Sequence, residues 1–190
     1  MKNRVAGFAE VKVIDLKAHA DSRGFFRELF RVNTYQQAGI IPAFTQFNHS
    51  RSSIGVLRGL HFQRHHPQGK LVTVTRGAIL DVVVDIRYGS PTFGQWMSVE
   101  ISDTNHQQIY IPPGFAHAIL VLSDTVDLLY QCTDYYRPDD EYSIAWNDPD
   151  INIHWPFNNP IVSEKDGKAP FLAALAPEQL PQYERMEICE

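Results

Sequence analysis

The sequence predicts an all-β protein, an antiparallel sandwich or barrel, and three observations carry that prediction. About ten short runs of strand-forming residues recur along the chain, turn signals fall between them roughly every 8–12 residues, and helical signal is confined to short pieces. Val11–Leu16 opens the series, and Phe25–Phe30 follows the polar break Asp21-Ser-Arg-Gly24. Thr45–His49 comes next, then Val56–Gln63 directly after Gly55. Lys70–Thr75 and Ala78–Ile86 are parted by Arg76-Gly77, and Gln95–Ile101 starts behind Gly94. Gln107–Ile111 ends at Pro112-Pro-Gly114, and Ser123-Asp-Thr125 separates Ala116–Leu122 from Val126–Cys132. The helical pieces are Thr34–Ala38 and Ala169–Ala176. No linker or repeat divides the chain, so residues 1–190 are expected to form a single domain.

Composition fits that expectation and removes several function classes. The 190 residues are 44% hydrophobic and 12% aromatic, enough apolar surface for one substantial core. The longest strictly apolar run, Phe171–Ala176, is six residues, far short of a bilayer span. The opening Met1-Lys-Asn-Arg-Val-Ala-Gly has no apolar stretch of the signal-peptide kind, so a soluble cytoplasmic protein is expected. With 17 basic and 22 acidic residues the net charge is −5, and no basic block exists to neutralise phosphates, which argues against a nucleic-acid partner. Cys132 and Cys189 fit neither a disulfide framework nor a paired-cysteine zinc motif and read as incidental thiols.

Several strands carry polar groups on faces that are otherwise apolar. The period-2 rule puts Lys70, Val72 and Val74 on one face, and Leu71, Thr73 and Thr75 on the other. It likewise groups Val126, Leu128, Tyr130 and Cys132, and in the earlier strand Leu57, Gly59, His61 and Gln63. A barrel interior with His, Lys, Tyr and Gln among apolar residues suits a ligand cavity better than a filled core.

Four constellations could carry chemistry. In Arg58-Gly-Leu-His61-Phe-Gln63 followed by Gln68-Gly-Lys70, nearby cations keep an imidazole neutral, so that it can act as a base. The same pattern is met by a hydrogen-bonded interior histidine and a lysine reaching to solvent. Leu129-Tyr130 to Tyr136 and Glu141 offers a phenol that can donate a proton and a ring that can stack on a nucleobase, or ordinary strand packing. Asp21-Ser-Arg23-Gly offers a phosphate-binding guanidinium or a plain turn arginine. The fourth, Pro112-Pro-Gly-Phe-Ala-His117, contains Pro-x-Gly-x-x-His, which resembles the second motif of the cupin superfamily, where the histidine is commonly a metal ligand. Counting back seven positions from Gly77, the cupin metal-ligand Glu falls on Lys70, an ammonium that repels a cation. A metal centre would have to be rebuilt from His61, His65, His66 and His117, so no metal is expected.

Taken in order, nine blocks resemble one family. They are Arg23-Gly-Phe-Phe, Gln46-x-Asn48-His-Ser, Val56 to Gln63, Gln68-Gly-Lys-Leu-Val, Asp81 to Arg87, Ser90-Pro-Thr-Phe-Gly, Ile111 to His117, Tyr130-x-Cys-Thr-x-x-Tyr136 and Trp146-Asn-Asp-Pro. Over about residues 8 to 170 the chain is similar to the dTDP-4-dehydrorhamnose 3,5-epimerase family. The resemblance implies a cupin-type double-stranded β-helix, or jelly-roll barrel, with short flanking helices. It implies inversion of C3 and C5 of a nucleotide-linked 4-keto-6-deoxyhexose through an enolate, without cofactor or metal.

By the same resemblance His61 is the base, Tyr130 the acid on the opposite face, Lys70 the cation at the enolate oxygen and Asp166 the carboxylate paired with the base. Arg23 and Arg58 match diphosphate contacts; Glu28, Gln46, Asn48, His117, Glu141 and Lys165 match further substrate-binding positions; Tyr136 matches the ring that stacks on thymine. Arg58 has the opposite strand parity to His61, which the strand must accommodate if both serve one site. A homodimer with N-terminal strand exchange is implied, with Arg23 and Glu28 completing the neighbour's site. The family commonly has Asp at position 47 and Gly-Phe at 118–119, where this chain has Phe47 and Ala118-Ile119, positions expected near the sugar or base. A single-position epimerase, an enzyme for another nucleotide-linked sugar, a metal-dependent cupin oxygenase or isomerase, and a non-catalytic sugar binder are the alternatives.

Overall fold

The structure is a computed structural model that describes residues 2–40 and 43–183; Cys189 lies outside them. Thirteen strands and two short helices follow in chain order among the described residues. The first strands are β1 (Lys2–Ala6), β2 (Phe8–Asp15), β3 (Ala18–Asp21) and β4 (Gly24–Arg27), and the helix α1 (Val32–Gln37) comes next. Then come β5 (Gln46–Ser53), β6 (Leu57–Gln63), β7 (Lys70–Arg76), β8 (Ala78–Asp85) and β9 (Trp96–Ser102). The last are β10 (Gln107–Ile111), β11 (Phe115–Val121), β12 (Thr125–Cys132), β13 (Glu141–Ser143) and the one-turn helix α2 (Glu164–Gly167).

The strands form a six-stranded sheet ordered β1-β2-β10-β7-β12-β5 and a five-stranded sheet ordered β13-β6-β11-β8-β9. Every pairing between the named strands is antiparallel. Neighbours such as β2 and β10, or β5 and β12, are far apart in sequence, which is the connectivity of a jelly roll and confirms the expected class. None of the described helices is long and apolar enough to cross a membrane.

Strand alternation explains the layers. Val72, Val74, Ile79, Val83, Ile119 and Leu128 point between the two sheets and are buried together. Leu71, on the other side of β7, packs behind the six-stranded sheet against Ile14, Tyr35 and Tyr110, under α1. Leu60, Phe62, Val84 and Ile86 pack behind the five-stranded sheet under Leu172 and Leu180 of the C-terminal segment. Each such aliphatic side chain contributes roughly 1.5–3 kcal/mol of burial. The outer faces at β2, β7 and β10 and at β6, β8 and β11 are therefore covered, and the apolar fill between the sheets stops short of one end.

Differences from the sequence expectation fall on short elements. The stretch 169–176 is not a helix: Pro170 and Pro177 bracket it, and only one 3-10 turn, Leu172–Ala174, forms inside. The helical turn appears instead at Glu164–Gly167, started by Ser163, whose Oγ accepts the Asp166 backbone N–H at 3.0 Å. The run expected at Phe25–Phe30 is the shorter β4, paired only with β3 in a hairpin outside both sheets.

Candidate active site

The unfilled end of the barrel is a cavity of about 630 Å³, walled by β5, β7 and β12 on one side and β6, β11 and β13 on the other. This is within the size range of small-ligand sites. Its wall includes His61, Lys70, Tyr130 and Asp166, together with Gln46, Asn48, Arg58, His117, Tyr136, Glu141 and Lys165. Eleven of the thirteen residues singled out from the sequence thus meet in one place.

His61 comes from β6 in the five-stranded sheet, and its Nε2 lies 2.6 Å from Asp166 Oδ1. Leu57 N–H donates to the Ile161 carbonyl at 2.9 Å, and this bond anchors the segment that carries α2 beside β6. Burial pushes the Asp166 carboxyl up, but hydrogen bonds from His61, Ser163 and the Gly59 backbone outweigh it and hold the group below the usual carboxylate range. A carboxylate on Nε2 assigns the proton to that nitrogen and leaves the lone pair on Nδ1, 3.9 Å from Glu141 Oε1.

Lys70 and Tyr130 stand on the facing sheet. Lys70 is the first residue of β7 and shares the interior face with Val72, as alternation requires. Burial pushes its ammonium pKa down, against the opposing pull of Cys132, Glu141 and Asp81. Among the described residues no side-chain hydrogen bond or salt bridge engages the Lys70 ammonium. Tyr130 lies across from Val72 on β7 and from Asn48 on β5. Burial pushes its phenol up and Cys132 adds to the rise, while Arg58 pulls it down, so the hydroxyl keeps its proton at neutral pH.

The cavity mouth is polar. Glu141 forms a salt bridge with Lys165 and accepts from Tyr136 Oη at 3.1 Å. Tyr136 N–H donates to Gln46 Oε1 at 2.8 Å, and Gln46 Nε2 donates to Asn48 Oδ1 at 2.9 Å. Arg58 donates from Nε and Nη2 to Ser52 Oγ at 3.2 and 3.1 Å. The Tyr136 ring stands 46% exposed beside these groups, open to a planar ligand.

The parity conflict between Arg58 and His61 is resolved by a bulge. Arg58 pairs with Ile119 and His61 with His117, so two steps on β11 correspond to three on β6. The extra residue turns both side chains into the cavity, which Leu57 also lines; the expected common face of Leu57, Gly59, His61 and Gln63 is broken at Gly59, whose open side faces β11. Gly59 makes the bulge possible. Its φ is +119°, and a Cβ there would sit 2.5 Å from the His117 carbonyl oxygen and 2.7 Å from Ala118 Cα. Gly59→Ala is expected to destabilise the protein by about 2–4 kcal/mol, because strain and overpacking coincide. A denaturant melt reads this, and a midpoint equal to wild type would refute the bulge.

Other expectations are redistributed. Arg23 sits in the β3–β4 turn, paired with Asp21 at 2.6 Å and largely exposed, and Glu28 pairs with Arg31; neither lines this chain's cavity. Phe47 points away from the cavity and is 65% exposed, so its expected place beside the sugar or base is corrected; Ile119 does line the wall. Of the four histidines of the metal alternative, only His61 and His117 reach the cavity. His65 and His66 use their backbone N–H groups on Asp140, and no cluster of three or more metal-binding side chains occurs among the described residues. Cys132, read as incidental, belongs to the wall, where Asn48 Nδ2 contacts its sulfur at 3.7 Å.

A carboxylate outside the four constellations stands behind His117 of the cavity wall. Asp81 on β8 accepts from His117 Nε2 at 2.9 Å and is fully buried. Its signal was a lone carboxylate on the same face as Ile79 and Val83.

Known proteins share this sequence and fold. The family model described as dTDP-4-dehydrorhamnose 3,5-epimerase matches residues 6–174. The dTDP-4-dehydrorhamnose 3,5-epimerase of Pseudomonas aeruginosa is 46% identical over 173 residues, covering 89% of this chain and 96% of that protein. A dTDP-6-deoxy-D-glucose-3,5-epimerase from Legionella pneumophila, solved in complex with dTDP-4-keto-L-rhamnose, has 47% identity and a TM-score of 0.94, covering 97% of this chain and 99% of that one. A 3′-monoepimerase from Streptomyces bikiniensis, solved with dTDP-quinovose, has 38% identity and a TM-score of 0.86, covering 91% and 89%. With a family match across most of its length and relatives at this level of identity, the chain belongs to the dTDP-4-dehydrorhamnose 3,5-epimerase family.

Proposed function

We propose that this chain is an isomerase that inverts C3 and C5 of a dTDP-linked 4-keto-6-deoxyhexose in deoxysugar biosynthesis. The observation that carries the reading is the placement of an oriented base and a protonated phenol on opposite walls of one cavity, with a partly buried ammonium on the wall of the phenol. C3 and C5 both flank the C4 ketone. His61 Nδ1 takes the proton from one face of such a carbon, and the electron pair moves through the C3–C4 or C5–C4 bond onto the C4 oxygen. Lys70 stabilises that enolate oxygen, and Tyr130 returns a proton to the opposite face of the carbon, which inverts it. Asp166 carries the counter-charge of the imidazolium formed on His61. Exchange with solvent restores both groups.

The mouth suits the nucleotide. Arg58 supplies a guanidinium for the diphosphate, Tyr136 a stacking face for thymine, and Gln46, Asn48, His117, Glu141 and Lys165 polar contacts around them. The reading includes a single epimerase domain, a cytoplasmic location, where the nucleotide pool lies, and a homodimer. The dimer gives Arg23 and Glu28 a role: the β3–β4 hairpin carries exposed Phe25 and Phe26, at 54% and 70%, and would cover the partner's cavity mouth. The reading includes N-terminal strand exchange between the protomers, with the β3–β4 hairpin bringing Arg23 to the partner.

The test is incubation of the enzyme with dTDP-4-keto-6-deoxyglucose in D₂O, followed by NMR of the product. Deuterium at both C3 and C5 is the expected result. Label at one carbon marks a single-position epimerase, an activity held by the Streptomyces relative, and no label refutes the reading. A companion variant, Tyr130→Phe, is expected to slow inversion about 100-fold or more while leaving hydrogen loss from the substrate less affected, because reprotonation on the far face is what the phenol supplies. Unchanged inversion would remove Tyr130 from the acid role.

A further inference from the structure

We propose that Asp81 is a positioning residue of this reaction: it holds His117 in the cavity wall and serves as the counter-charge that keeps the Lys70 ammonium charged at the enolate oxygen. The inference rests on the epimerase reading above and adds to it a residue outside the base, acid and cation.

The first ground is the setting of the carboxylate. Ile79, Asp81 and Val83 share the interior face of β8, and all three are fully buried. A carboxylate in such a layer is costly unless hydrogen bonds and opposite charge compensate it. Oδ2 accepts from His117 Nε2, but Oδ1 is buried and has no hydrogen-bond partner. Asp81 takes no backbone N–H and caps no turn, so it does not hold the fold in the way that Asp140, on the His65 and His66 N–H groups, or Asp166, on the Gly59 N–H, does. An apolar residue would serve packing alone better.

The second ground is registry. His61 lies opposite His117 across β6 and β11, and Asp81 lies diagonal to His117 across β11 and β8, because Ile119 is its direct partner and Val83 that of His117. A row of His61, His117 and Asp81 therefore crosses the five-stranded wall. Lys70 faces that wall from β7.

The third ground is charge. The groups facing Lys70 are Cys132 and Tyr130 on β12, Glu141 on β13, His61 on β6, His117 on β11 and Asp81 on β8. Cys132 is pushed up by burial and Tyr130 likewise, so both are neutral at pH 7. Glu141 is bound to Lys165 and Tyr136. Among the described residues Asp81 is bound to no lysine or arginine, its Oδ1 has no hydrogen-bond partner, and on the interior face of the opposite wall it opposes the burial that drives the Lys70 ammonium toward deprotonation.

The test is Asp81→Asn, which keeps shape and an acceptor for His117 while removing the charge. Two readouts are taken on the folded variant, with dTDP binding as the check on folding. The alkaline limb of the kcat profile is expected to move about one pH unit lower, equivalent to an about tenfold loss of kcat on that limb, with the KM for the sugar nucleotide within about twofold. Competitive acetylation of Lys70 across pH 6 to 11, read by mass spectrometry, is expected to show the same displacement of its titration, and it needs no turnover. Asp81→Leu is the second variant. It is expected to fold as well as wild type or better and to show the same Lys70 shift. An unmoved Lys70 titration in either folded variant overturns the proposal. Absence of deuterium exchange by the wild-type enzyme would overturn the epimerase reading instead, and the labelling result is independent of it.

Discussion

Replacement of His61 by Asn is expected to abolish deuterium exchange at C3 and C5 together, with a rate loss of about 10³-fold or more, while dTDP binding and thermal stability stay near wild type. A positioned proton-transfer group is typically worth about 10²–10⁴-fold. The upper part of that range applies because Glu141, at 3.9 Å from Nδ1, is held by Lys165 and cannot take over as base. Asn keeps an N–H able to meet Asp166, so the one-turn helix that Ser163 caps remains seated. The nucleotide contacts at Arg58 and Tyr136 are on other residues and survive. Loss at both carbons is the distinctive outcome, since one base serves two sites flanking the same ketone. Exchange surviving at one carbon would assign that carbon a different base, and exchange within tenfold of wild type at both would end the assignment of His61.

Much of this site was legible in the sequence because strand alternation is a strict rule where one face is buried. The faces of β7 and β12 follow it, which put Lys70, Val72, Tyr130 and Cys132 on the interior before any coordinates. The rule failed on β6, where Gly59 inserts a bulge; a glycine between Arg58 and His61 was the available signal, but a bulge needs the partner strand to be recognised. Strand β5 was legible only in its first half. It is an edge strand with cavity-facing Gln46, Asn48 and Ser50 alternating with exposed Phe47, His49 and Arg51, so no hydrophobic contrast marks its length. Asp166 came from the family resemblance alone, because it sits 105 residues from its partner on a four-residue helix with no periodic pattern. Asp81 is the reverse case: a single acid inside an apolar strand is visible in the pattern, but it belongs to no chemical motif that marks it as functional. Arg23 and Glu28 stay apart from the cavity since the β3–β4 hairpin joins neither sheet, and Arg27 ties it to Val74 and His106 instead.

Replacement of Lys70 by Met should give a protein at least as stable as wild type at pH 7 and slower by about 10²–10³-fold in kcat, with the KM changed little. Deleting one preorganised charge donor to a developing oxyanion has that scale of effect. Binding is spared because the enolate oxygen carries its full charge only after the proton has left, so the ground state gains little from the ammonium. The stability sign follows from burial. Lys70 titrates below its unfolded value in the folded chain, so the unfolded state binds the proton more strongly and the wild type gains stability as pH rises toward the unfolded lysine value of about 10.4. The K70M protein lacks this term, so its advantage at pH 7 should shrink on raising the pH. The same depression means the wild-type rate falls in alkali earlier than an ordinary lysine would require, and this limb should vanish in K70M. Thermal melts at pH 7 and 10 and a kcat profile on both proteins decide it. A variant that loses stability at pH 7, or that keeps the alkaline limb, would show that the ammonium does not act at the enolate oxygen.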